Sequence, residues 1–207
     1  MEWNRLPRDK ASAILSALAG QENAAVFAEA TTEVVWQELP FYDGFKLYQL
    51  TNYATMPSFQ LHYISNGTVF FPIDGTANPI FSANETAKIN LDETNAISYL
   101  DFFFKNISAP DGQIFLLKSQ NDMGFMDNLS LDQQQKLLTT FQPVVLNSDI
   151  IPHNFHVKCT LYYDGCLISS TVQITAEGKV FIHEQNMLMQ GVYMPLSHAS
   201  QQWSTPA

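Results

Sequence analysis

Charge is scarce in this chain. Charged side chains make up 14% of its 207 residues, against about a quarter in ordinary globular proteins. Cations are scarcer still, with 10 Lys and Arg against 20 Asp and Glu and a formal net charge of −10. A phosphate-backbone binder needs several cations on one face to release counterions, so no nucleic-acid partner is expected. An anionic membrane surface is disfavoured for the same reason. Long apolar runs are also missing: Val69-Phe70-Phe71-Pro72-Ile73 is of the longest kind, far short of the roughly 20 residues that cross a bilayer.

Glycine occurs nine times, scattered in turns. Neither phosphate-binding glycine pattern is present, nor is the Gly-x-Ser-x-Gly elbow of a serine hydrolase. The two cysteines, Cys159 and Cys166, have no metal-type spacing, and no cofactor is expected. Two arginines and a lysine precede Ala11–Ala19, but Ser12, Ser16 and Gly20 break that stretch. Ile14, Leu15 and Leu18 have the spacing of an amphipathic helix instead of a signal peptide, so a cytoplasmic location is expected. Sequons at Asn66, Asn84, Asn106 and Asn128 then reflect an Asn-rich chain.

What the chain does have is apolar bulk and neutral amides. Hydrophobic residues make up 46%, 15 of them Phe, enough to fill a core and to exclude disorder. The 29 Asn and Gln side chains do much of the solvating.

Pro7 and Gly20 bracket a helix over 7–19, with a second helical stretch expected through Ala24–Ala30. Val34-Val35-Trp36 begins β structure, Phe45–Leu50 alternates, and Ser58–Ser65 leads through Asn66-Gly67 into Thr68–Ile73. A two-residue Asn-Gly turn would pair Ser65 with Thr68, Tyr63 with Phe70 and Leu61 with Pro72. Ile80-Phe81 reads as at most a short strand. Asn90-Leu91-Asp92-Glu93 has capping-box form and precedes Ile97, Leu100, Phe103, Phe104 and Ile107, an apolar helix face. Gln113–Leu117 reads as a buried strand. Ser130-Leu131-Asp132-Gln133 is a second capping box, opening a helix over 131–141 with Leu131, Leu137, Leu138 and Phe141 as its stripe.

From Phe155 to the high 180s the chain reads as a three-stranded antiparallel meander. Centring a turn on Asp164-Gly165 pairs Tyr163 with Cys166, Leu161 with Ile168, Cys159 with Ser170, Val157 with Val172 and Phe155 with Ile174, which leaves one face almost wholly apolar. Cys159 and Cys166 then lie four residues apart along the ladder, too far for a disulfide, and two free thiols are expected. The opposite face takes His156, Lys158, Thr160, Tyr162, Thr171 and Gln173, and a three-residue second turn adds Phe181 and His183, with His183 across from Thr171.

These residues supply the candidate chemistry. His156, Lys158, Tyr162 and His183 on one sheet face would suit acid–base work, and His153, His156 and His183 are the candidate metal ligands. Phe102, with its neighbours Phe103 and Phe104, widens the apolar arc of its helix beyond one stripe, so it is either enclosed or a partner surface. Met123, Phe125 and Met126, in a loop over 119–129, would suit an adaptable contact surface if exposed. The expected fold is a single α+β domain over 1–207. It has a largely antiparallel sheet, an N-terminal helix, two middle helices on one sheet face, a C-terminal meander and a loosely ordered tail from about 195. The expected function is non-catalytic binding of a protein or small molecule, with a homodimer among the partners. The alternative is a small-molecule enzyme using the His/Lys/Tyr face.

Overall fold

The backbone follows from local turn and cap chemistry, and its departures from expectation have local causes. The computed structural model describes residues 2–21, 24–148 and 154–193; the expected loose tail from 195 lies outside them. Among the described residues the fold is α+β, with four α-helices and two antiparallel sheets, the second ending in a meander. By their contacts the residues form two compact units. One runs to Asp74 and includes Asn78–Lys88; the other takes Gly75–Ala77 and the chain from Ile89. No helix among the described residues is long and apolar enough to cross a membrane.

The first unit contains β1 (Asn4–Arg5), α1 (Arg8–Leu18), β2 (Thr32–Glu38), β3 (Lys46–Asn52), β4 (Phe59–Ser65), β5 (Phe70–Pro72) and α2 (Asn78–Ala87). Its five strands pair in chain order. Ile14 and Leu18 of α1 pack with Val34, Tyr48, Leu50, Tyr63 and Phe70. The helical stretch expected at 24–30 is a single 3-10 turn, Ala24–Val26.

The β4–β5 hairpin keeps its faces but shifts its register by two, pairing Ser65 with Phe70 and Tyr63 with Pro72. The Asn66 carboxamide accepts hydrogen bonds from the Thr68 and Val69 amides, 3.0 Å each, and from the Thr68 hydroxyl, 2.8 Å. A side chain so engaged closes a four-residue turn in place of the two-residue one. Ile80 lies in α2, not in a strand. This helix buries only Ile80, Ala83 and Asn84, too few apolar positions to set a helical period, and Asn84 accepts a 2.5 Å hydrogen bond from the Tyr42 hydroxyl.

Tyr63 is fully buried, its hydroxyl has no hydrogen-bond partner, and burial raises its pKa. An orphan buried hydroxyl destabilises a fold by about 1–3 kcal/mol relative to a satisfied one. Tyr63→Phe is therefore expected to leave stability unchanged or raise it by about 1 kcal/mol in urea unfolding; a loss of stability would show that the hydroxyl is bonded.

The second unit contains α3 (Ala96–Asn106), β6 (Ser108–Ala109), β7 (Gly112–Leu117), α4 (Leu131–Thr140), β8 (Val145–Ser148), β9 (Phe155–Tyr163), β10 (Cys166–Ile174) and β11 (Val180–Met189). The sheet order is β11-β10-β9-β7-β6, with β8 also on β9. The outer edge of β9 is thus shared. β8 pairs along its first half, Phe155–Lys158, and β7 along its second, Thr160–Tyr163.

The α3 start moves from Asn90 to Asn95, behind a turn closed by reciprocal bonds. The Asp92 carboxylate accepts from the Asn95 amide, 3.0 Å, and the Asn95 side chain accepts from the Asp92 amide, 2.9 Å. The Ser130–Gln133 capping box of α4 forms as expected, but its apolar stripe does not. Only Leu137 is buried, while Leu131 is 80% exposed.

Candidate functional site

Asp164 and Gly165 both have positive φ, 45° and 71°, as a two-residue hairpin turn of the mirror-image class requires. This turn sets the β9–β10 ladder, in which every expected pair is found, from Tyr163 with Cys166 to Phe155 with Ile174. Both cysteines are free. Cys159 lies on the apolar face, where burial pushes its thiol up to about 12. An un-ionised buried thiol is a packing group, not a nucleophile.

On the opposite face the register forms two polar rows. Lys158, Thr171 and His183 stand side by side across β9, β10 and β11, and His156, Gln173 and Phe181 make the next row. The His183 Nε2 lies 3.1 Å from the Gln173 Oε1. A bulge then re-aims a further group. Between the pairs Thr171–His183 and Ser169–Asn186, β11 has one residue more than β10, and Glu184 takes a left-handed φ of 41°. The Thr171 hydroxyl donates to the Glu184 carboxylate, 3.3 Å. Beside them is a shallow depression of about 150 Å³, lined by Gln142, Lys158, Ser169, Ser170, Thr171, Glu184 and Asn186.

Of the four candidates for acid–base work, Tyr162 is not on an open face. It is buried against Phe125, Leu167, Met189 and Val192, and its hydroxyl donates to the Val192 carbonyl, 3.1 Å. The alternation on β9 ends at Thr160 because the segment after β7 folds back over the sheet and α4 adds Leu137 to the same cluster. Lys158 and His183 are two strand spacings apart, about 10 Å, beyond direct proton transfer. His156 and His183 likewise belong to β9 and β11, with β10 between. Among the described residues no three His, Cys, Asp or Glu side chains gather as a metal would need; His153 lies outside the described residues.

The partner-surface candidates are also corrected. Phe102 is buried, and Met123 and Phe125 are core residues. Met126 is half-buried and packs against the same cluster. A capping box at Ser119 and Asp122 closes a 3-10 turn, and a second such turn covers Met126–Asn128. These turns carry Phe125 inward to stack on Tyr162 with ring centroids 6.0 Å apart.

A second polar cluster, on the first sheet, has no signal in the sequence beyond alternation. His62, Gln49 and Val35 share one row, and Gln60, Thr51 and Glu33 the next. His62 is buried, its Nε2 is 3.1 Å from the Gln49 Oε1, and Trp3 stacks over it at 6.0 Å. Gln60 and Gln49 both donate to the Thr51 hydroxyl, at 3.2 and 3.5 Å. Glu33 joins Arg5, 2.9 Å, and accepts from the Tyr53 hydroxyl, 2.9 Å. Burial lowers the His62 pKa to about 4, so the ring is neutral at physiological pH and serves as a hydrogen-bonding wall. No family model matches the sequence, and neither the curated proteins nor the solved structures include a significant match.

Proposed function

We propose that the protein works by binding a protein partner, without catalysis, and that the contact surface is the polar face around Lys158, Thr171, His183 and Glu184. The observation that carries this reading is Glu184. A non-glycine residue with left-handed φ is uncommon and strained by about 1–3 kcal/mol. The bulge spends that strain to turn a carboxylate toward Thr171, beside the depression that Lys158 also lines. Bulges of this kind typically re-aim side chains at working surfaces.

The size of the depression supports a protein partner. It is smaller than the roughly 300–1,000 Å³ of small-molecule pockets and suits one polar side chain presented by another protein. Two free thiols agree with a reducing compartment such as the cytoplasm.

Glu184→Gly tests the reading through two measurements. Glycine takes the left-handed conformation without steric strain, so stability to urea is expected to rise by about 0.5–1 kcal/mol. Partner capture from host lysate is expected to fall, as it is for Lys158→Glu at unchanged stability. If both variants capture the wild-type set undiminished, this face is not the contact surface.

A further inference from the structure

Sheet margins present unpaired backbone N–H and C=O groups, and proteins guard them with short strands, Pro, Lys or cover. Among the described residues four margins are guarded. β1 and β6 have two residues each, β5 has three and ends in Pro72, and β8 has four. β11 differs: it has ten residues, lies at the end of its sheet and pairs only with β10 among the described residues. Between Val180 and Met189 there is no Lys, Arg or Pro, and Glu184 is the sole charge. Its bulges begin at Glu184, so Val180–His183 stays regular. Val180 and Ile182 pair with the buried Ile174 and Val172 yet remain half-exposed, and Phe181 is 46% exposed. The apolar layer therefore stops one strand short of being covered.

We propose that β11 is the interface between two copies of this chain, paired antiparallel about a two-fold axis at Ile182. In that register Ile182 meets Ile182 of the second copy and Phe181 meets its His183, while Glu184, turned away by its bulge, lies beyond the regular pairs. Every facing pair lies on one side of the sheet, as antiparallel pairing demands. No like charges oppose each other, which matters for a chain of net charge −10. A second copy also extends the half-covered Val180–Ile182 layer and makes one continuous sheet, a closed isologous contact. About three regularly paired residues a side make a small interface, below the roughly 1,600 Å² of standard complexes, so the dimer is weak and strengthened by salt, which screens the net charge.

Sedimentation velocity between about 10 and 500 µM is expected to show the mass rising from 23.3 kDa toward twice that value. Phe181→Lys, at an exposed position that leaves the fold intact, weakens association at least about tenfold, because lysine guards an edge. In a Cys166→Ser background, Ile182→Cys is expected to cross-link into disulfide dimers in a glutathione buffer, while Val180→Cys, two residues off the two-fold axis, does not. A mass that stays monomeric throughout overturns the proposal, as does a dimer indifferent to Phe181→Lys or cross-linking equally at 180 and 182. A monomer that pairs only with a foreign peptide strand also overturns it.

Discussion

Phe125→Ala is expected to destabilise the protein by about 3–5 kcal/mol, the range for removing a large aromatic side chain from a packed core. Phe125 is fully buried and stacks on Tyr162, which Phe115 meets from another direction at 5.9 Å. Truncation leaves a void bounded by Tyr162, Leu129 and Leu137, all members of one cluster. Sheet and capped helix on either side limit how far that void can collapse, which favours the upper part of the range. Urea unfolding of wild type and variant measures the difference. A loss under about 0.5 kcal/mol, the value for an exposed side chain, would return Phe125 to the surface and reopen the loop as a contact region.

The second large effect is a pH dependence centred on His62. Its folded pKa, about 4, lies below the ordinary 6.5 because burial disfavours the charged ring. Between those values the unfolded chain binds more protons than the folded one, so stability rises with pH across this window. The contribution is fully present above about pH 6.5 and is lost as pH falls toward 4, amounting to about 3 kcal/mol in full. Arg5 ends the row that holds His62 and Glu33 lies in the next row of the same sheet face, and the ion pair between them leaves burial as the dominant influence. Urea unfolding of wild type and His62→Gln at pH 7, 5.5 and 4 isolates the histidine, since carboxylate contributions are common to both. The wild type is expected to lose more stability on acidification; parallel curves would show that the imidazole protonates without penalty.

The legible parts of the fold were those in which turn chemistry and side-chain alternation agree within a short stretch. Asp164-Gly165 with the alternation on either side specified nine β9–β10 pairs, and Ser130 with Gln133 specified a helix start. Where one local signal competed with another, the reading slipped. Asn66 used its side chain to close a longer turn, and the α3 start moved past Asn90 to Asn95, behind the turn that Asp92 closes. α2, β1 and β8 escaped because each offers too few apolar positions to set a period in a composition rich in amides: α2 buries only Ile80 and Ala83 as apolar side chains, and β1 is Asn4-Arg5. The candidate site divided along the same line. His156, Lys158, Thr171 and His183 share their face as pairing predicts, but the carboxylate that joins them arrives through a bulge, which no local pattern announced.

The sequence by itself determined which residues pair and which face each side chain takes in the meander, because period and turn geometry are properties of a few neighbouring residues. It likewise determined the acidic, sparsely charged character of the surface. The tertiary structure alone decided what covers each face. Tyr162 alternates with the same period as Lys158, yet one is sealed under Phe125 and the other is exposed, because burial depends on segments far along the chain. It also decided that β11 lies at a margin, since strand order depends on which partners the other strands have already taken.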